Sequence, residues 1–313
     1  MIKRLLALCF FFFVFISLEA QPYGNEWINY SQKYYKIKIA QNGIYRLDSI
    51  TLSASGIDLT TIDARNFQLF NNGKQQYIYV KGEADGVLNA ADYIEFYAKK
   101  NDGQADSSLY VNSPEIPNPY YSLVNDTAIY YLTWNSSITN NRLQVENDTA
   151  FSAYLPDNFF YKEEVKSFQS SYYEGETDAV GGTDSRYTKS EGWFDSQVFN
   201  YGGGASYISL LNTSNAYIAG PNAIVKTIVF GASKSINLVS QSLPDHQLQI
   251  SYRGSSGTFQ QLVDTSFMGY EQNRFLFSVP ATSLGTSFTD FLYFSVANAV
   301  FTSNTNSGFL YQN

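Results

Sequence analysis

An all-β fold, with an N-terminal mixed β-rich domain followed by an antiparallel β-sandwich, is expected from three observations on this chain. Aromatic residues are abundant, with 24 Phe and 26 Tyr among 313 residues against only 8 Pro, which suits pleated, half-buried surfaces. Short segments alternate apolar and polar residues with a period of two, and turn residues separate them. No stretch beyond the first residues carries a sustained helical period.

The leader comes first. Lys3 and Arg4 precede an unbroken apolar run from Leu5 to Leu18, and Leu18-Glu19-Ala20 stands before Gln21, so residues 1–20 read as a secretory signal peptide. The run is too short for a bilayer span, and no second stretch of membrane length follows. Cys9, the only cysteine, lies inside this leader, so the exported polypeptide is expected to hold no thiol and no disulfide. Stability must then come from buried apolar area.

Next, Tyr35-Lys36-Ile37-Lys38-Ile39 alternates cleanly, and Gln41-Asn42-Gly43 offers a tight turn before Ile44-Tyr45-Arg46-Leu47, which predicts a hairpin. Asp48 is placed to cap a short helix through Leu52 that stops at Gly56. Phe67 to Phe70, a turn at Asn72-Gly73 and a return strand Gln76 to Val80 follow. Asp92 to Tyr97 and Ala128 to Trp134 alternate again, separated by a loop from Lys99 to Ser122 with Pro114, Pro117 and Pro119. A first domain is expected over residues 21–150 and a bridging region over 151–204. From 205 to 313, strands at Tyr207 to Leu211, Ala223 to Phe230, Gln247 to Tyr252, Arg274 to Val279 and Asp290 to Val296 predict the sandwich. Asn304 to Asn313 end without a capping element, so the chain is expected to be a fragment whose sandwich is truncated.

Chemistry is sparse. A formal net charge of -8 argues against a phosphate-tracking surface, which needs clustered Lys and Arg. His246, the sole histidine, follows Leu243-Pro244-Asp245 and is expected in a turn with a structural role. It has no context for a catalytic triad, and one His with no Cys leaves too few ligands for zinc. Gly202-Gly203-Gly204 lacks the Lys-Ser or Lys-Thr of a phosphate loop. Glu163-Glu164, if on a strand, point to opposite faces and do not flank one glycosidic bond.

Two features carry more. Residues 83–92 resemble a calcium loop, with Asp85, Asn89 and Asp92 as candidate ligands around Gly86, although Lys81 occupies the first ligand position. The competing reading is a turn in which Asp85 and Asn89 bond to backbone amides. The aromatic pairs Tyr34-Tyr35, Tyr120-Tyr121, Tyr130-Tyr131, Phe159-Phe160 and Tyr172-Tyr173 would each put one ring on either side of a strand. These rings either pack under loops or a neighbouring domain, or form a platform that stacks sugars.

Taken in order, Tyr23-Gly24-Asn25-Glu26-Trp27-Ile28, Tyr34-Tyr35-Lys36-Ile37, Asn42-Gly43-Ile44-Tyr45-Arg46, Asp85-Gly86, Asp92-Tyr93-Ile94-Glu95-Phe96-Tyr97, Asn118-Pro119-Tyr120, Asn125-Asp126-Thr127-Ala128, Tyr131-Leu132-Thr133-Trp134 and Glu191-Gly192-Trp193-Phe194 resemble the N-terminal region of gingipain-type cysteine peptidases, in the branch of the sortases of the type IX secretion system. The resemblance covers most of residues 23–194 and, more loosely, the sandwich. It implies a secreted protein of the Bacteroidetes, at the outer membrane surface or extracellular, whose peptidase domain with its catalytic His and Cys follows the β-rich region. No catalytic residue carries over, since neither His246 nor Cys9 sits in a matching motif. The expected function is therefore a non-catalytic accessory region, its partners being the downstream peptidase domain or type IX secretion components. The alternative is a free-standing cell-surface sandwich that binds glycans or adheres.

Overall fold

In a computed structural model of the protein, the structure describes residues 24–147, 149–178, 180–195, 198–200, 205–234, 244–295 and 308–312. The expected leader, Cys9 and the glycine run at 202–204 lie outside the described residues. The chain divides into two compact units, and it passes between them three times: the described part of unit 1 is 24–100 and 127–147, while unit 2 takes Asn101–Asp126 as well as the chain from 148 onward.

Unit 1 is built from β1 (Tyr35–Ile39), β2 (Gly43–Asp48), helix α1 (Ser49–Ala54), β3 (Phe67–Asn71), β4 (Lys74–Gln76), β5 (Tyr79–Val80), β6 (Tyr93–Ala98) and β7 (Ala128–Trp134). The strands form a four-stranded sheet in the order β1-β7-β3-β4 and a three-stranded sheet in the order β2-β6-β5. Inward-facing residues of both sheets, among them Ile39, Phe67, Leu69, Leu132, Ile94 and Phe96, share one core. Phe67 and Phe96 are fully buried, and each such side chain stabilises by about 1.5–3 kcal/mol relative to exposure.

The hairpin expected between β1 and β2 does not form, although both strands do. Tyr35 pairs with Leu132 and Gly43 with Ala98, so the connection at Gln41-Asn42-Gly43 is a corner from one sheet to the other. Alternation determines which face of a strand is buried and says nothing about its partner. Local signals fared better where the structure they specify is local. Asp48 Oδ1 accepts from Thr51 N at 2.7 Å and caps α1. Asn72 and Gly73 both adopt positive φ, the conformation of a two-residue hairpin turn, and β3 pairs with β4 across it.

Unit 2 contains a two-stranded ribbon, β8 (Ser171–Glu174) with β9 (Glu191–Phe194). It also holds β10 (Val198–Asn200), β11 (Ala205–Asn212), β12 (Ala223–Gly231), β13 (His246–Arg253), β14 (Gln260–Phe267), β15 (Gln272–Val279), β16 (Phe288–Ser295) and β17 (Gly308–Gln312). Two four-stranded antiparallel sheets, β10-β17-β12-β15 and β11-β16-β13-β14, bury Val229 and Val279 from one against Leu248, Ile250, Phe267, Phe291 and Tyr293 from the other. That is a β-sandwich. The segment near the end of the sequence contributes β17, which pairs with β10 and β12.

The proline-containing loop expected inside the first domain is built into unit 2 instead. Tyr110 Oη donates to Glu191 O at 2.6 Å, Val111 N to Tyr187 O at 2.9 Å, and Asn118 Nδ2 to Phe168 O at 2.9 Å. Ile116 and Asn118 are buried there. The ribbon is tied to the sandwich in turn. Tyr173 Oη donates to Ala232 O at 2.6 Å, and buried Ser190 donates to Gly231 O at 2.7 Å. The later part of the expected bridging region, from Phe168 to Phe194, is thus built into the second unit.

Candidate functional site

The loop from Lys81 to Tyr93 connects β5 to β6 and carries the candidate cation ligands. Gly82 and Gly86 flank a single 3-10 turn, Glu83–Asp85, and both have left-handed φ, 84° and 78°. Asp85 Oδ1 accepts from Val87 N at 2.9 Å, and Asn89 Nδ2 donates to Asp85 Oδ2 at 3.4 Å. Asp92 Oδ2 accepts from Asn89 N at 2.9 Å, and Asp92 N donates to Asn89 O at 3.0 Å. Lys81 Nζ donates to Ala91 O at 3.2 Å.

Asp85, Asn89 and Asp92 are therefore neighbours, as the spacing suggested, but their oxygens face the loop's own donors. Asp85 bonds a backbone amide as the turn reading requires. Asn89 does not: its side chain turns to Asp85, and Asp92 takes the amide. Calcium wants six to eight oxygens at about 2.3–2.6 Å. Among the described residues no three His, Cys, Asp or Glu side chains gather at such a point. The Asp92 carboxyl group is folded over Gly82, where a Cβ would lie 2.2 Å from its carbon.

Two ion pairs brace this loop, and sequence reading missed both because their members are far apart in the chain or unremarkable by type. Arg142 Nε meets Glu83 Oε2 at 2.8 Å, while its Nη1 and Nη2 donate to Phe67 O and Arg65 O at 3.0 and 2.8 Å. Arg65 pairs with Asp63 at 2.5 Å, and this hydrogen-bonded guanidinium pulls the Asp63 carboxyl down to about 2. The rim of the loop is a locked polar network.

His246 is the first residue of β13, not part of a turn, and is 2% exposed. Its ring stacks on Phe267, with centroids 4.9 Å apart. Nε2 lies 2.9 Å from the Ser233 carbonyl and 3.6 Å from Asp245 Oδ1, so the Nε2–H tautomer donates to that carbonyl. Asp245 Oδ1 accepts in turn from Gly269 N at 2.7 Å. At 2% exposure the ring is closed to an outside molecule. The arrangement pins β13 to the neighbouring loops and cannot act as a general base on an outside molecule.

The aromatic pairs resolve individually. In β7, Tyr130 points into the core and is 4% exposed, while Tyr131 points outward under Trp27, whose ring also covers Phe70 at 5.2 Å. Tyr34 packs edge-on against Trp27. Tyr172 is partly exposed, and its hydroxyl donates to Glu191 Oε1 at 2.7 Å. Phe159 and Phe160 lie outside any strand, as do Glu163 and Glu164. Trp27 therefore packs on the outward rings of Tyr34, Phe70 and Tyr131, whereas Tyr77 and Tyr97 stay exposed, and Phe159 stacks on Tyr217 in the second unit.

No family model matches this chain, and no curated protein does. Among solved structures, dimeric latent PorU from Porphyromonas gingivalis aligns with 90% of the chain at 13% identity and a TM-score of 0.40. The chain spans 24% of the length of that protein. An infectious bursal disease virus structure (TM-score 0.23, 8% identity, 91% of this chain and 72% of that one) and the STIV MCP structure (0.18, 11%, 90% and 90%) also align. No helix among the described residues is long and apolar enough to cross a membrane.

Proposed function

We propose that this chain is a non-catalytic, β-rich accessory region of a secreted gingipain-like cysteine peptidase of the type IX secretion system, supporting a peptidase domain encoded downstream. The ordered series of motifs from Tyr23 to Phe194 supports the family reading. The observation that carries the non-catalytic part is His246: the sole imidazole of the chain is buried, stacked and committed to a carbonyl. A cysteine peptidase needs an accessible thiolate and imidazole side by side. The described residues of this chain supply neither as a pair.

In this reading the two units are rigid presenting surfaces on the cell exterior, and proteolysis belongs to the domain they accompany. The test has two parts. Purified chain should leave peptide substrates intact with or without reducing agent, and thiol-dependent turnover by it would sink the assignment. The reading frame beyond Asn313 should encode a domain with a His and Cys pair. A stop codon there, together with retention of the chain on immobilised polysaccharide, would replace this reading with the adhesive one.

A further inference from the structure

Residues 154–165 are twelve consecutive exposed positions, and they include Leu155 at 94%, Phe160 at 84% and Tyr161 at 83% exposure. Among the described residues, no backbone hydrogen bond ties 155–167 to the rest of the chain; the last before it is Tyr154 N to Phe151 O, and the first after it is Asn118 Nδ2 to Phe168 O. Other exposed loops are held differently. In the 136–142 loop, Asn140 Nδ2 donates to Arg65 O and Asn141 Nδ2 to Gln75 O. The loop after β11 closes on itself through Ala216 N to Thr213 O and Gly220 N to Tyr217 O.

An endopeptidase binds its substrate as an extended strand whose backbone amides and carbonyls are free to pair with the enzyme. A segment with an unpaired backbone reaches that state without breaking backbone hydrogen bonds, whereas a strand or pinned loop must first open. The 155–167 stretch lies outside any helix or strand and its backbone is unpaired; Phe159 stacks on Tyr217 and Tyr161 packs edge-on against Phe159, both with centroids 5.6 Å apart, while Phe160 and Tyr161 stay 84% and 83% exposed at its centre.

We propose that this segment is an endoproteolytic processing site, cut after Phe160 or Tyr161 by an endopeptidase whose specificity pocket takes an aromatic ring, and that the nicked protein remains assembled. In the reaction, water adds across the amide: the C–N bond breaks, the acyl carbon gains the water oxygen as a carboxylate, and the new N-terminus leaves as an amine that takes up a proton. No oxidant or cofactor is consumed.

Assembly after the cut follows from the path of the chain. The N-terminal fragment carries Asn101–Asp126, which belongs to unit 2. Five bonds hold that excursion to residues beyond the cut: Tyr110 to Glu191, Val111 to Tyr187, Asn118 to Phe168, Ser167 Oγ to Asn118 Oδ1 at 3.1 Å, and Arg274 Nη2 to Pro114 O at 3.0 Å. Gly192 is packed so closely on this excursion that a Cβ there would sit 2.7 Å from Pro117 Cγ. Ile116 and Asn118 are buried in the same place. Hydrolysis removes one covalent link and none of these contacts.

Limited digestion of the purified chain with chymotrypsin tests both halves. One early cut should appear, mapped by mass to Phe160 or Tyr161, and the two fragments should elute together on size exclusion and separate only in urea. Replacing both rings, Phe160→Asp with Tyr161→Asp, should slow that cut by about tenfold or more with an unchanged circular dichroism spectrum. First cuts elsewhere, an unchanged rate in the double variant, or fragments that elute apart without denaturant would each overturn the proposal.

Discussion

Tyr110 Oη donates a 2.6 Å hydrogen bond to the backbone carbonyl of Glu191, across 81 positions of sequence. Around it, the Tyr172 hydroxyl and the amide of Thr188 both donate to the Glu191 carboxylate, at 2.7 and 3.1 Å. Tyr187 lies against the Tyr110 ring, with centroids 5.5 Å apart. One residue of β9 thus holds a loop that leaves unit 1 at Lys100 and returns at Thr127.

Removing that hydroxyl should loosen unit 2. Tyr110 is 5% exposed, so Tyr110→Phe leaves the half-buried Glu191 carbonyl without this donor, at a cost of about 1 kcal/mol. Urea denaturation should show a lower midpoint. An unchanged midpoint would mean that the loop is held by its apolar contacts alone.

The loop of the candidate ligands makes a sharper prediction. Gly82→Ala forces a left-handed φ of 84° on a residue with a Cβ and pushes that Cβ to 2.2 Å from the Asp92 carboxyl carbon. Strain and the lost Asn89 amide bond together should cost about 2–4 kcal/mol. Asp92→Ala in the same chain relieves the clash, so the double variant should be more stable than the sum of the two single losses implies. Simple additivity in thermal melts would contradict the geometry.

Calcium should leave the melting temperature unchanged. The oxygens of Asp85 and Asp92 accept from Val87 N, Asn89 Nδ2 and Asn89 N, and an ion would have to displace these donors. A rise in melting temperature on adding millimolar calcium, lost in Asp85→Asn, would show a cation site at this loop.

The helix cap is a local test. Asp48 accepts from Thr51 N, and this backbone bond lowers its carboxyl below the ordinary value of 3.8. Its folded-state value is depressed, so its contribution is present above about pH 4 and is lost as pH falls through the folded value. Asp48→Ala should lower the stability of unit 1 at neutral pH, and the difference from the parent should shrink in acid. A difference constant with pH would rule out the cap as its source.

Alkali should unfold unit 2. Burial pushes the Tyr293 hydroxyl up to about 12 from its ordinary value of 10.0, and burial with nearby Glu191 raises Tyr110 as well. Above pH 10 the unfolded chain releases these protons and the folded one retains them, so stability declines as pH climbs from about 10 towards 12. Tyrosinate absorbance should rise together with loss of the β circular dichroism signal. Full ionisation of every tyrosine in a still-folded chain would refute this.

What could be read from the residues alone was local. β7 (Ala128–Trp134) matches its expected span, and Asp48, Gly56 and the Asn72-Gly73 turn fall where capping and turn chemistry put them, because those preferences are satisfied within a few residues. The all-β class followed from alternation and aromatic content. Strands β8, β9, β10, β14 and β17 were missed: the sequences of β8 (Ser-Tyr-Tyr-Glu) and β9 (Glu-Gly-Trp-Phe) set aromatic residues side by side and do not alternate although their burial does, and β14 alternates weakly even in burial. Asp85, Asn89 and Asp92 are neighbours in one loop, yet Arg142 at the loop's rim carried no sequence signal, because an isolated arginine says nothing about the carbonyls it will reach.

Partnership was decided only in three dimensions. The sequence determined which face of β1 and β2 is apolar, but long-range pairing with β7 and β6 sent the two strands to different sheets. It placed three prolines in one loop, but burial of Ile116 and Asn118 assigned that loop to unit 2. Its only histidine became a structural group because folding enclosed it beside Phe267 and the Ser233 carbonyl. Short-range propensities act through neighbours in the chain, whereas burial and hydrogen-bond satisfaction are settled by whichever distant groups the packed core brings alongside.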